Sequence, residues 1–168
     1  MSVERIKVGD KVPAGINFRQ IDPEKGTAAL IASEEFFAGK RVALFGVPGA
    51  FTPGCSKTHC PSFVLGHSKL KAAGFDAIAC TSVNDAFVMD AWCKSQNGEG
   101  KLEMLADGNG EFAAAIGLLK DYSQSGMGPR SMRYGALVED GVVKYLGVDE
   151  TRGVIEVSTA EAILASME

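Results

Sequence analysis

Apolar positions in this chain fall into short blocks separated by glycine, proline and polar residues. Arg41-Val42-Ala43-Leu44-Phe45-Gly46-Val47 is a nearly continuous apolar run, the pattern of a strand covered on both faces. Pro48-Gly49-Ala50-Phe51-Thr52-Pro53-Gly54 ends it. A helix is predicted from Thr52 or Pro53, since threonine can cap and proline fits a first turn. It carries Phe63, Leu65 and Leu70 to a stop at Gly74, with a kink expected at Pro61. Asp76–Val83 reads as a second buried strand. Asn84 or Asp85 is placed to cap a helix reaching about Gln96, with Phe87, Val88, Ala91 and Trp92 on one face.

A weaker strand at Leu102–Leu105 precedes a short helix near Gly110–Leu118. Two strand-like runs, Arg133–Glu139 and Val142–Val148, flank Asp140-Gly141, the residue pair that a type I′ hairpin turn favours. A last helix is predicted from Ser158 or Thr159 to the C-terminus, and the stretch before Asn17 reads as extended segments and turns. Strand–helix alternation implies a parallel core and the hairpin adds an antiparallel edge. The expected class is α/β with a thioredoxin-like layout: a mixed central sheet with helices on both faces. No repeat or linker divides residues 1–168, so one domain is expected.

Composition narrows the function classes. The 168 residues are 46% apolar and 23% charged, as in a globular rather than a disordered chain. Seventeen basic against 21 acidic side chains give a net charge of −4. Without a basic run there is no electrostatic footprint for nucleic acid or an anionic membrane. No apolar stretch approaches the roughly 18 residues of a membrane helix. Met1–Arg5 has neither a secretory nor a transit pattern, which points to the cytoplasm or to a mature organellar form without its presequence. The four cysteines, at 55, 60, 80 and 93, are expected as reduced thiols.

Cys55 follows a strand and a Pro/Gly loop and falls in the first turn of the predicted helix, at the sheet edge where α/β sites form. Unpaired N–H groups and the helix dipole favour a thiolate there, and pKa values of ~3.5–7.5 occur at such positions. Lowering a thiol from ~8.5 to ~6 raises the thiolate fraction at pH 7 only about 30-fold. Larger acceleration requires donors that hold substrate and transition-state charge. Thr52, three residues earlier, can turn its hydroxyl toward the sulfur, and an arginine must come from elsewhere. The competing reading is a buried, inert thiol.

Pro48-Gly49-Ala50-Phe51-Thr52-Pro53-Gly54-Cys55 resembles the Pro-x-x-x-Thr-x-x-Cys motif of peroxiredoxins. Ser56-Lys57-Thr58-His59, then Cys80-Thr81-Ser82-Val83-Asn84-Asp85-Ala86-Phe87-Val88, resemble the peroxiredoxin-5 or type II subfamily. Arg130-Ser131-Met132-Arg133-Tyr134 before Asp140-Gly141 extends the match, which runs from about Val8 to Leu164. The resemblance implies a thiol peroxidase for hydrogen peroxide and alkyl hydroperoxides, with Cys55 as the peroxidatic cysteine passing through a sulfenic acid. It implies that Thr52 bonds thiolate and peroxide, that Pro48 shields the pocket and that Arg133 polarises the O–O bond. Arg130 is expected to be a surface charge. Recycling by glutaredoxin, glutathione or thioredoxin is implied, without metal, flavin or nucleotide. A homodimer through loops near Phe51 and Phe87 is also expected.

A sulfenic acid must be resolved by a thiol. Cys60, five residues along a regular helix, would be turned about 140° away, so a core thiol is expected unless Pro61 disrupts the helix. Cys80 matches a resolving position in plant-type relatives, and its role stays open between resolving and passive. The C-terminal cysteine of other relatives is replaced by Val157. Cys93 is expected to be a packed or partly exposed thiol. His59 reads as a helix histidine with a local partner rather than half of a Cys–His nucleophile, and His67 as exposed. Zinc is not expected without paired cysteine spacing, nor nucleotide binding without a phosphate loop. Two other functions compete: a dithiol–disulfide oxidoreductase, weakened by the absence of Cys-x-x-Cys, and a redox-sensing interaction protein switched by Cys55 oxidation.

Overall fold

The computed structural model describes residues 3–168. It begins with an antiparallel pair that hydropathy does not announce, β1 (Asn17–Ile21) and β2 (Ala28–Ala32), and a short helix α1 (Ser33–Phe37). Both strands are largely exposed, so burial imposes no clean alternation on them. The two predicted buried strands follow as β3 (Arg41–Gly46) and β4 (Ala77–Ser82), and the weaker one as β5 (Glu103–Ala106). Between β3 and β4 lie a π-helical turn at Cys55–His59, α2 (Cys60–Leu65) and α3 (His67–Ala72). Helix α4 (Ala86–Ser95) precedes β5, and α5 (Glu111–Ala115) follows it. A small unpredicted pair, β6 (Leu119–Asp121) with β7 (Pro129–Ser131), stands apart from the main sheet. The hairpin β8 (Arg133–Glu139) and β9 (Val142–Asp149) and the helix α6 (Ala160–Ala165) complete the chain.

The main sheet runs β2-β1-β5-β4-β3-β8-β9. Its centre, β3, β4 and β5, is parallel, while β8 pairs antiparallel with β3 and β9. Alternate side chains of these strands feed two cores. Phe45, Cys80 and Leu137 point into the one that holds Cys55, Phe63, Trp92 and Ile163. Val42, Leu44, Ala79 and Ala136 point into the other, with Phe36, Phe37 and Phe112. Helices therefore cover both faces. Phe45 and Phe63 stack with centroids 4.0 Å apart, pinning α2 to β3; burying each ring stabilises the fold by roughly 1.5–3 kcal/mol.

The local signals hold at the turns. Asp140 and Gly141 both have positive φ, 46° and 77°, as a type I′ turn requires. Thr159 caps α6 and Asp85 caps α4 through side-chain bonds to Ala162 N–H and Val88 N–H. Two expectations need correction. The buried face of α4 is Ala86, Met89, Trp92 and Cys93, with Phe87 exposed, because starting the helix at the Asp85 cap puts Met89, Trp92 and Cys93 at the i, i+3, i+4 positions facing the core. The long helix after β3 is not kinked once; it is widened at Cys55–His59 and broken at Gly66. Pro61 supplies the cause of the widening, since it has no N–H for an i−4 bond, and Cys60 N–H instead reaches back five residues to the Cys55 carbonyl.

Candidate active site

Gly46, the last residue of β3, has no room for a side chain, since a Cβ there would overlap the Tyr134 ring lying across it. The chain then turns through Pro48–Thr52 with Phe51 at a φ of 65°, and the helix begins. The loop is held from below by Asn84, whose Oδ1 accepts from Ala50 N–H at 2.9 Å and from the Ser82 hydroxyl at 2.8 Å. It is held from the side by Arg130, which donates to the carbonyls of Met127 at 3.0 Å and Pro48 at 3.4 Å. Arg130 is thus not a free surface charge. It is half-buried and braces the Pro48–Gly49 backbone.

Cys55 is fully buried at the start of the π turn. Arg133, the first residue of β8, lies against it. Its Nη2 donates to Cys55 Sγ at 3.4 Å and its Nη1 points at His59 Nδ1 at 3.0 Å. Gly54 makes room, since a Cβ there would come within 3.0 Å of Arg133 Nη2. Trp92, the single tryptophan, donates its indole N–H to the Ser56 hydroxyl at 2.9 Å and ties α4 to the residue beside Cys55. Thr52 does not bond the sulfur. Its hydroxyl donates to the Gly49 carbonyl at 2.7 Å, which leaves oxygen lone pairs, not a proton, for an incoming group.

His59 departs most from expectation: its partners are distant in sequence, not local. The ring is fully buried, and Nε2 lies 2.8 Å from the Ser158 carbonyl while Nδ1 faces Arg133. A guanidinium only donates and a carbonyl only accepts, so the imidazole is the neutral form with its proton on Nε2. Burial, and then the charge of Arg133, push its pKa down to about 3. Since the unfolded chain binds this proton near pH ~6.5 and the folded chain does not, stability falls as pH drops from there toward the folded value, by ~1.4 kcal/mol per unit. Unfolding free energies from urea titrations at pH 7 and pH 5 should therefore diverge by about 2 kcal/mol more in the parent than in His59→Gln. Equal divergence would place the proton elsewhere.

The other thiols lie in the same core as Cys55. Burial pushes Cys60 up to about 12 and Cys93 up to about 11, and holds Cys80 well above the ordinary thiol value. All three are protonated, weak nucleophiles at neutral pH. Cys80 sits mid-strand, paired with Phe45 of β3 and Met104 of β5. Val157 is exposed near the end of the segment after β9. His67 is half-buried rather than exposed. Among the described residues, no group of three or more His, Cys, Asp or Glu is placed to hold a metal ion. Phe51 and Phe87 stand 55% and 60% exposed, a pair of uncovered aromatic surfaces on the loop and helix that flank the site.

The family model described as Redoxin matches residues 7–164. Peroxiredoxin-2E, chloroplastic, from Arabidopsis thaliana is 44% identical over 96% of this chain and 69% of its own length. Peroxiredoxin-2B of the same plant is 43% identical over 96% of this chain and 98% of its own. The structure of reduced Prx3 from Vibrio vulnificus in complex with hydrogen peroxide superposes with a TM-score of 0.90 at 45% identity, covering 97% of this chain and 99% of that one.

The chain belongs to the peroxiredoxins.

It is consistent with the type II or peroxiredoxin-5 group, since peroxiredoxin 5 from Alvinella pompejana superposes with a TM-score of 0.83 at 36% identity over 96% of this chain and 97% of that one. The peroxiredoxin is a thiol peroxidase with a thioredoxin-like fold. The sequence singles out Cys55, Thr52, Pro48 and Arg133; the structure places Arg133 against Cys55, and Thr52 and Pro48 on the loop that leads into the Cys55 turn. It misses the roles of His59, Arg130, Gly54 and Ser158. Gly54 beside Cys55 was a legible signal of crowding; the contacts of His59 span 74 and 99 residues and leave no local pattern.

Proposed function

We propose that Cys55 is the thiol that reduces the peroxide. Its thiolate attacks one oxygen of hydrogen peroxide or a small alkyl hydroperoxide and the O–O bond breaks. The sulfur becomes a sulfenic acid, and water or an alcohol leaves once the departing oxygen takes a proton. The observation that carries the reading is the Arg133 Nη2 contact with Cys55 Sγ at 3.4 Å, a fixed cation beside one thiol while burial keeps the other three protonated. The guanidinium stabilises negative charge on sulfur before attack and on the departing oxygen after it. Thr52, its own proton spent on Gly49, accepts from the peroxide O–H and orients it. Pro48, with its carbonyl braced by Arg130, walls the approach. Full burial of Cys55 favours a slender oxidant over exchange with a protein disulfide, which distinguishes this chemistry from a dithiol oxidoreductase.

Recycling by glutathione, glutaredoxin or thioredoxin completes the cycle. Cys80 is a weaker candidate for the resolving thiol, because its strand is hydrogen-bonded on both sides and only Cys55 is free to move when its turn unwinds. A second copy covering Phe51 and Phe87 gives a homodimer. Four unpaired cysteines suit a reducing compartment, and we place the protein in the cytoplasm. Non-reducing peptide mapping after one equivalent of peroxide and one of glutathione, with the remaining thiols alkylated at once, tests the assignment. The expected product is Cys55 coupled to glutathione with Cys80 free. A Cys55–Cys80 peptide pair would return the resolving role to Cys80, and an unmodified Cys55 would overturn the reading.

A further inference from the structure

Asp149, the last residue of β9, gathers the chain that follows it. Its carboxylate accepts from the backbone N–H of Glu156 at 3.1 Å, Val157 at 3.2 Å and Ser158 at 3.1 Å, and from the Ser158 hydroxyl. Tyr145 donates its hydroxyl to the Val157 carbonyl at 2.6 Å. Two glycines make the seat. Gly135 and Gly147 are directly paired across β8 and β9, and a Cβ on either would overlap the carbonyl oxygen of Ser158 or of Val157. The Ser158 peptide is fixed in this way on the hairpin, its carbonyl turned to His59.

The contacts then run in series. The Ser158 carbonyl takes the Nε2 proton of His59, which leaves Nδ1 as the acceptor for Arg133 Nη1, and Nη2 is directed to Cys55. An arginine side chain carries ~2 kcal/mol of rotamer entropy, so holding it in one pose requires a fixed partner. A carboxylate in the place of His59 would hold it too, but would cancel the charge felt at the sulfur. A neutral imidazole orients the guanidinium and leaves its charge intact.

We propose that His59 and Asp149 are positioning residues for peroxide reduction: through the Ser158 peptide they fix Arg133 against Cys55, so the reactivity of Cys55 depends on the docking of segment 150–158. The proposal rests on the assignment of Cys55 and Arg133 given above. Asp149 touches neither Arg133 nor Cys55 and acts through the others.

The test is a double-mutant cycle. Single-turnover oxidation by hydrogen peroxide is followed by stopped flow through the fluorescence of Trp92, bonded to the neighbour of Cys55. Asp149→Asn should lower the second-order rate constant about 10-fold, short of the roughly 10²-fold that a full 1 Å misplacement of a catalytic group can cost. In an Arg133→Met background it should change the rate by less than 2-fold, because the group it positions is gone. The same slowing in both backgrounds would show a general structural role and overturn the proposal, as would no slowing in either. Should Asp149→Asn fail to fold, His59→Gln in the same two backgrounds decides on the same criterion. If Arg133→Met alone leaves the rate unchanged, the site assignment itself fails; if it slows the rate and the second change still adds, only the positioning relay fails.

Discussion

Cys55→Ser should abolish peroxide turnover to the level of the uncatalysed reaction while leaving a folded protein. Reduction of an O–O bond withdraws two electrons from the attacking atom, and sulfur can supply them where a serine oxygen cannot. The serine hydroxyl also ionises too weakly at neutral pH to attack. Folding should survive because the hydroxyl still accepts from Arg133, whose Nη2 lies 3.4 Å from the present sulfur, so no buried polar group is orphaned. Peroxide consumption with a thiol donor, read beside a melting curve, checks both halves. Retained turnover at a comparable rate would move the chemistry to another thiol, against the upward pKa shifts of Cys60, Cys80 and Cys93.

The second large effect is expected at Arg133. Methionine fills much of the same volume without charge or N–H groups, so Arg133→Met should slow oxidation by about 10²–10³, the range measured when one fixed donor to a developing charge is removed. The loss should fall mainly on the bond-breaking step, where charge develops on the departing oxygen. Arg133→Lys should recover only part of it. An ammonium is a point charge without the fork that reaches Cys55 and His59 together. Stopped-flow oxidation of both variants separates these outcomes, and a rate within 3-fold of the parent for Arg133→Met would remove Arg133 from the mechanism.

The parts of this fold legible in the sequence are those decided by burial or by turn stereochemistry. The apolar run at 41–47 has no reading except a strand covered twice, and Asp140-Gly141 constrains the backbone wherever it occurs. Strands β1 and β2 escaped because half-exposed strands leave no periodicity to read. The site divides along similar lines. Cys55 and Thr52 stand at fixed spacing in one short stretch, so their motif carries them. His59, Ser158 and Asp149 matter through one carbonyl, one tautomer and one carboxylate brought together by the β8–β9 hairpin, and the hydropathy pattern does not record which backbone oxygen faces which ring. The register of the helix after Cys55 was hidden for a different reason. Moving one hydrogen bond from the fourth to the fifth residue changes no residue type, and Pro61 announces a disturbance without specifying its form.

That shifted bond has a practical outcome for the catalytic cycle. A wide turn contains a spare residue, so the chain around Cys55 holds slack just where a buried sulfur must reach a reductant too large for its pocket. The slack ends where the anchor begins: Cys60 N–H closes the wide turn, and three residues on Phe63 stacks on Phe45 and ties α2 to the sheet.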